Sequence, residues 1–358
     1  MAKEPVTNSV ASSAASPWRP LTALVIILSG LILIFFSVFT VWWLFMPSLD
    51  TRVPVLELTS AEKELAARLK LDVRYLAETI GERHMHRPGT METTAAWIEQ
   101  RLEEIGFAPV RHSYQLQGER YRGRSADNLI AEVAGTQHPE RVVIVGAHYD
   151  TVPGSPGAND NGSAVAVLLA LAEWFYQRPQ ATTLRFVAFA NEEPPFFQTP
   201  DMGSYAYAQT LKERGEQPVA MFSMDGLGYF SDEPGSQRYP APGIGMIYPN
   251  RANYIALVTR LGDMSLMKRA LKAFRQETAL PAEGTALPAF VPGIDWSDHW
   301  SFWQHGFPAF LVTDTLPFRD PYYHTPGDTA QRLDYARMAL VAQGLKGVLT
   351  ELGSPPTQ

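Results

Sequence analysis

The stretch RVVIVGAHYD, residues 141–150, is an apolar run that ends in a histidine and an aspartate. Its consecutive β-branched residues favour a buried strand. A helical pattern over 164–176 follows it, and TLRFVAFA, residues 183–190, has the composition of a second buried strand. Because strands that alternate with helices form parallel sheets, this stretch predicts an α/β fold.

The alternation continues towards the end of the chain. Further strands are predicted over PVAMFSM, 218–224, and PAFLVT, 308–313. Further helices are predicted over 203–214, from about Asn253 to Gln276, near 298–305 and over 334–351. We therefore expect a mixed, largely parallel central sheet with helices on both faces. The connection 230–249, rich in Gly, Pro and Ser, is expected to be a surface loop.

Two helices are predicted before the first of these strands. Thr59 and Glu62 have the spacing of a capping box, and apolar residues then recur at helical intervals until Gly81. A second apolar helical pattern ends at Gly106. Both helices are interpreted as scaffold without a chemical role.

Composition limits the classes of function. The chain has 358 residues and a formal net charge of -7, with acidic and basic residues interspersed, so a nucleic-acid partner is not expected. It has no cysteine, which excludes disulfides, thiolate zinc sites and a cysteine nucleophile. Any metal must therefore be held by histidine and carboxylate side chains. The sequence does not indicate an oligomeric state.

A long apolar segment lies near the amino terminus. Residues 21–46 contain no charged side chain, and about 20 apolar residues suffice to cross a bilayer. A cleaved signal peptide is the alternative, but the run is longer than its usual apolar core. Trp42 and Trp43 stand where an interfacial aromatic belt would be. This pattern predicts one transmembrane helix over 21–46.

The flanking charges predict the orientation of that helix. Lys3 and Arg19 precede it, whereas Arg52 follows it close to Asp50. The positive-inside rule then predicts a single-pass membrane protein whose large domain is extracytoplasmic. The predicted organisation is a short cytoplasmic tail, a transmembrane anchor, a linker and one large domain, over 1–20, 21–46, 47–58 and 59–358.

Polar side chains stand where the predicted strands end. Ligands in open α/β sheets bind beyond the carboxyl ends of the strands. The side chains concerned are His148 and Asp150, Glu192 and Glu193, Asp225, and His324 in the loop after 308–313. Asp160 lies in a Gly-rich turn, GANDNGSA, at a helix entrance. Each residue alone has an ordinary structural interpretation, but together they predict a divalent metal site, most plausibly zinc, with room for two ions that share a ligand.

The motifs also resemble a known family. The order HYD, NDNGS, NEE, MDG, SDHWSFWQHGFPA and YYHTPGD is similar to that of the zinc aminopeptidases of metallopeptidase family 28, over roughly 61–352. The resemblance implies that His148 and Asp225 hold one zinc ion and that Glu193 and His324 hold a second. It implies that Asp160 bridges the two ions.

The same resemblance assigns roles beyond the metal ligands. Glu192 would be the general base, and Asp150 would orient the imidazole of His148. Tyr323 would donate a hydrogen bond to the oxyanion, with Tyr322 as the alternative. The segment PPFFQTPDM, 194–202, departs from the family pattern and either lines a specificity pocket or serves packing alone.

The resemblance predicts a di-zinc exopeptidase domain over 59–358, and the apolar run at 21–46 predicts that it is membrane-anchored. Its substrates would be peptides with a free amino terminus, since the acidic cluster attracts an α-amine. Two alternatives are a glutaminyl cyclase-like acyltransferase on the same fold and a catalytically silent binding protein. The complete set of candidate ligands favours hydrolysis over both alternatives.

Overall fold

An eight-stranded mixed sheet forms the centre of the large unit of the protein. The computed structural model describes residues 19–48 and 57–355. The strands are β1 (Val110–Gln115), β2 (Ser125–Val133), β3 (His138–His148), β4 (Thr182–Phe189), β5 (Ala220–Asp225), β6 (Ile255–Arg260), β7 (Ala282–Leu287) and β8 (Ala309–Thr313). Their order across the sheet is β1-β2-β4-β3-β5-β8-β6-β7.

The central part of the sheet is parallel. β4, β3, β5 and β8 run in one direction, while β2 joins β4 and β6 joins β8 in antiparallel pairs. β6 and β7 are parallel to each other. The prediction of a mixed α/β fold is confirmed, and the carboxyl ends of β3, β4 and β5 meet at one edge.

Helices cover both faces of this sheet. In β3, Val143 and Val145 belong to one core, whereas Val142 and Ile144 belong to the other, as the alternation of a strand requires. The helices of this unit are α2 (Ser60–Arg74), α3 (Thr90–Ile105), α4 (Ala164–Phe175), α5 (Gly203–Glu213), α6 (Met264–Glu277), α7 (His299–Gln304) and α8 (Tyr335–Gly353). A further helix, α1 (Arg19–Phe45), forms most of the described part of the other unit. Residues of α2, α3, α4, α6 and α8 contribute to the first core, and residues of α5 and α7 contribute to the second.

Local sequence explains where the early helices begin and end. The Oγ1 of Thr59 accepts the backbone N–H of Glu62, and the Glu62 carboxylate accepts the N–H of Thr59, so the capping box is formed. A π-helical segment, Tyr75–Ile80, extends α2 to Gly81. α3 ends at Gly106, whose φ of 114° lies in a region that favours glycine.

One predicted helix is in part a strand. We expected a helix from about Asn253, but β6 occupies Ile255–Arg260 and α6 begins only at Met264. The run IALVTR pairs with β8 on one side and with β7 on the other. Backbone hydrogen bonds on both edges therefore decide the conformation of a short apolar run that periodicity cannot assign. The strands β1, β2 and β7 were not predicted.

The predicted transmembrane anchor over 21–46 is not supported. A bilayer crossing needs about 20 consecutive apolar helical residues. Among the described residues, no helix is both long enough and apolar enough to span a membrane. The prediction of a single-pass membrane localisation was therefore wrong. The chain divides into two compact units at Leu44 and Phe45; most of the predicted tail, 1–20, and of the predicted linker, 47–58, lies outside the described residues.

Candidate active site

Adjacent strand ends bring the candidate residues together. His148 and Asp225 are the last residues of β3 and β5, and Glu192 and Glu193 follow the end of β4 after two intervening residues. Because β4, β3 and β5 are neighbours in the sheet, these side chains meet at one edge. Asp160 comes from the turn before α4, and His324 from the loop after β8.

These side chains form two groups that share one residue. The Nε2 of His148 lies 3.4 Å from an oxygen of Asp160 and 3.4 Å from an oxygen of Asp225. The other oxygen of Asp160 lies 3.0 Å from Nε2 of His324, which is 3.3 Å from a Glu193 oxygen. Within each group the possible ligand atoms lie within 4.8 Å of one another. Asp160 thus contributes one carboxylate oxygen to each group.

The donor atoms fit a bound cation. Oε1 of Glu193 and Nε2 of His324 are buried and lie 3.3 Å apart, but among the described residues neither atom has a partner with the geometry of a hydrogen bond. Burial and the nearby charge of Asp160 raise the pKa of Glu193 to about 8. Burial lowers the pKa of His324, but the carboxylates of Asp160 and Glu193 have the larger combined effect and raise this pKa to about 10. Buried carboxylates at such short range require positive charge nearby, and imidazole and carboxylate donors suit zinc.

Glu192 lies beside these groups without belonging to either. Its Oε2 is 3.8 Å from Nε2 of His148. The side chain is buried and lines a cavity that reaches the cluster. Burial, followed by the charge of Asp225 and other carboxylates, raises its pKa well above the usual value, although His148 opposes this.

The Asp150 carboxylate joins the ends of β3 and β4. Its two oxygens accept the backbone N–H groups of Glu192 and Glu193, each at 3.0 Å. One of the same oxygens lies 3.5 Å from Nδ1 of His148. The Asp150 side chain therefore fixes the acid pair and lies beside the imidazole, whose Nδ1 hydrogen-bonds with the Asp150 carbonyl at 3.3 Å.

Two further side chains, which the sequence did not single out, hold the ligands in place. Asp328 accepts the backbone N–H of Asn159 at 2.7 Å and that of Asp160 at 3.1 Å. Asn161 bonds the backbone on either side of Asp225, with Nδ2 donating to Met224 O at 2.9 Å and Oδ1 accepting from Gly226 N at 3.1 Å. The HTPGD motif contains Asp328, but its spacing alone does not reveal this partner.

Arg83 is a third supporting residue that the sequence gave no signal to find. Its guanidinium is fully buried, and within the described part of the chain it donates to backbone carbonyls alone. Two of them, Pro156 at 2.7 Å and Gly157 at 2.8 Å, begin the turn that carries Asp160. Its other acceptors are the carbonyls of Leu76, Gly81 and Tyr149. Arg83 thus ties the π-helical extension of α2 to the Asp160 turn.

The tyrosines before His324 differ in their surroundings. The ring of Tyr323 stacks on His324 with centroids 3.7 Å apart and lines the cavity. The ring of Tyr322 instead lies beneath the guanidinium of Arg332, at 3.4 Å. His324 itself has a φ of 58°, an uncommon backbone conformation for a residue with a side chain, and such conformations concentrate at functional sites.

His299 lies outside both groups. It is buried, and Nε2 hydrogen-bonds with the carbonyl of Ile294 at 2.8 Å, while Nδ1 lies 3.2 Å from the hydroxyl of Ser223. Burial lowers its pKa to about 4. The side chain serves packing and hydrogen bonding within the core.

A cavity of about 280 Å³ opens onto the cluster. The predicted surface loop 230–249 contributes to its wall. Of the two phenylalanines in the unusual segment, Phe197 lines this cavity, whereas Phe196 is buried and packs on Tyr121 at 4.7 Å. The segment therefore serves both the cavity and the core.

Comparison with known proteins now adds the family. The family model "Peptidase family M28" matches residues 128–348. The chain belongs to peptidase family M28. It is 36% identical to the uncharacterized protein YfbL of Escherichia coli, over 78% of this chain and 85% of that protein. It is 26% identical to leucine aminopeptidase 1 of Arthroderma otae, over 72% of this chain and 67% of that protein.

Solved structures agree on the fold. A zinc aminopeptidase from Bacillus subtilis superposes with a TM-score of 0.64 at 16% identity, over 82% of this chain and 96% of that one. A glutaminyl cyclase from Bacteroides thetaiotaomicron superposes with a TM-score of 0.59 at 16% identity, over 84% of this chain and 99% of that one. The predictions that this chain belongs to the M28 family and is a zinc-dependent hydrolase are confirmed.

The Arg83 contacts yield a stability prediction. We expect Arg83→Met to lower the free energy of unfolding by about 3 kcal/mol or more, because several buried carbonyls lose their donor. Urea denaturation measures this change. The control is Arg122→Met, an exposed arginine, which should unfold as the unchanged protein does. Equal midpoints for the two variants would contradict the role of Arg83.

Proposed function

We propose that this protein is an aminopeptidase that removes single residues from the free amino termini of peptides. Family membership and the similarity to a leucine aminopeptidase support the reaction type. The observation that carries the proposal is the shared carboxylate: Asp160 reaches both histidine-containing groups, and Glu192 lies beside them. Such an arrangement suits hydrolysis of an amide bond.

We propose two zinc ions, one held by His148 and Asp225 and one by Glu193 and His324, with Asp160 shared. Bound zinc would polarise the scissile carbonyl and lower the pKa of a water molecule. The excess of carboxylates over imidazoles would be balanced by two divalent cations better than by one. The unpartnered Glu193 and His324 donor atoms support this assignment.

Glu192 is proposed as the general base. Its carboxylate would take a proton from the attacking water and pass it to the leaving amine. Asp150 holds the backbone at Glu192 and also approaches His148, so it would keep the base and a ligand in fixed relative positions. Asp150 is therefore proposed as a positioning residue.

Tyr323 is proposed as the donor to the oxyanion. Its ring stacks on His324 and lines the cavity at the cluster, so its hydroxyl would approach a carbonyl bound there. Tyr322 is less suited, because Arg332 covers its ring and it is not among the cavity-lining residues.

The two alternative functions gain less support. The likeness to a glutaminyl cyclase is at 16% identity and concerns the fold. A silent binding protein would have no need of Glu192, yet this acid is buried next to a complete donor set. Neither alternative is favoured by a specific contact.

Removal of the shared ligand tests the metal assignment. We expect Asp160→Ala to lose most bound zinc, because both groups lose a donor at once. Elemental analysis of the dialysed protein measures the zinc content. The control is Glu216→Ala, which removes an acid that follows α5 and pairs with Arg185 outside the cluster. Retention of two zinc ions per chain in Asp160→Ala would refute the shared role.

Removal of the base tests the mechanism. Glu192→Gln should keep its zinc but lower kcat at least about a hundredfold, as loss of a general base does. Steady-state hydrolysis of a leucyl substrate and elemental analysis, measured on the same preparation, separate the two properties. A kcat close to that of the unchanged enzyme would exclude this role.

Substrate chemistry tests the exopeptidase assignment. We expect cleavage of peptides with a free α-amine and none of their N-acetylated counterparts, because the acidic cluster would bind the ammonium group. Mass spectrometry should detect release of one residue at a time, abolished by a chelator and restored by zinc. Cleavage of acetylated peptides alone, or cyclisation of amino-terminal glutamine without hydrolysis, would refute the proposal.

A further inference from the structure

The cavity extends from the cluster across one face of the sheet. Residues Asp225, Thr313, Ala256 and Glu283 are paired in register on β5, β8, β6 and β7. In-register residues of neighbouring strands point to the same face. All of them line the cavity, so this row forms its floor. Three strand spacings of about 4.8 Å separate Asp225 from Glu283, a distance of about 14 Å.

The cavity surface between Asp225 and Glu283 is mainly apolar. Leu311 and Val258 form the next part of the floor on the same face, and Trp296, Phe318 and Ile294 contribute further apolar surface to the cavity. The cavity therefore has an acidic cluster at one end, an apolar middle, and a second carboxylate at the other end. A substrate side chain with an apolar stem and a charged tip would match this arrangement of surfaces.

Glu283 is buried yet only half satisfied. Its side chain is 3% exposed. Oε2 accepts the backbone N–H of Ser48 at 2.5 Å and lies 3.7 Å from Nη2 of Arg275. Among the described residues, Oε1 has no hydrogen-bond partner. Oγ1 of Thr285, two residues further along the same face of β7, lies near the hydroxyl of Tyr248.

A buried carboxylate oxygen without a hydrogen bond, such as Oε1 of Glu283, destabilises the folded protein. Arg275 is not a close partner, because its shortest hydrogen bonds go to the carbonyls of Ala282 at 2.6 Å and Met46 at 2.9 Å. Burial raises the pKa of Glu283 to about 7, although Ser48 and Arg275 oppose this. A cation delivered by a ligand would restore the charged form and supply the missing hydrogen bond.

We propose that Glu283, assisted by Thr285, is a specificity-determining residue that binds the cationic tip of an amino-terminal lysine or arginine side chain. This inference rests on the proposed aminopeptidase function, and it specifies the substrate class. The α-amine would lie at the acidic cluster, the methylene stem would cross the apolar middle, and the tip would reach Glu283. Neutral apolar side chains would fill only the middle of the cavity.

A matched pair of substrates measures the contribution of the cationic tip to recognition. Lysyl and norleucyl peptides share the stem but differ in the ammonium group. We expect the unchanged enzyme to favour lysyl over norleucyl substrates at least about tenfold in kcat/KM, since a hydrogen bond to a charged group is worth roughly ten- to hundredfold. Glu283→Gln should reduce this ratio to near one and change norleucyl turnover less than about twofold.

Controls separate recognition from folding. Gln retains an acceptor for Ser48 N–H, and thermal unfolding of Glu283→Gln establishes that it is folded. Glu277→Gln, an exposed acid on α6, should keep the full preference. If lysyl and norleucyl substrates are cleaved equally by the unchanged enzyme, or if Glu283→Gln retains the preference, the inference is overturned.

A binding measurement distinguishes this inference from the proposed function. Calorimetry with the amino alcohols lysinol and norleucinol, which have no amide bond to hydrolyse, does not depend on turnover. Lysine-selective binding that Glu283→Gln abolishes would support the subsite even if no peptide were hydrolysed. If the unchanged enzyme hydrolyses peptides but shows no lysine-selective binding, the subsite alone is overturned.

The cation could also be the α-amine of a longer substrate. In that case the enzyme would release an intact di- or tripeptide rather than one residue, and the release would depend on Glu283. Mass spectrometry of the products from an alanine pentapeptide detects this. Such products would overturn the assignment of Glu283 to a side chain.

Discussion

The burial of several carboxylates around two imidazoles is the constraint on which this protein depends. Asp160 lies within 3.4 Å of His148 and 3.0 Å of His324, and further buried acids surround them. Like charges at this distance are stable only with cations or with hydrogen bonds from fixed donors. The parallel centre of the sheet provides the frame, because it brings three strand ends to one edge.

A layer of buried polar side chains holds that cluster in position. Asp150 fixes the acid pair, Asp328 fixes the Asp160 turn, and Asn161 fixes the end of β5. Arg83 anchors the same turn from outside through backbone carbonyls. Each of these contacts is made to a main-chain group of a candidate ligand or of a residue near one. The same hydrogen bonds therefore stabilise both the fold and the candidate metal site. Changes in this layer should alter stability and zinc content together.

Much of the site was visible in the sequence, and the fold class with it. The runs at 141–147 and 183–190 are strands, and the acids that follow them meet as the strand-end rule requires. The run at 255–260 was misassigned, because a short apolar segment between loops has no period that separates helix from strand. The expected membrane crossing was also wrong, because no helix in the described part of the chain is both long enough and apolar enough to span a membrane.

The sequence by itself determined the chemistry: which donors exist, that thiolates are absent, and that the acids follow buried strands. Only the tertiary structure decided their partners, because those partners lie far apart in the chain. Asp328 meets the Asp160 turn, and Arg83 meets Gly157, across sequence separations of 168 and 74 residues. The register that aligns Asp225 with Glu283 arises from strands that pair out of chain order. Pairing between distant segments follows from packing and hydrogen bonding of the whole sheet, and no local pattern encodes it.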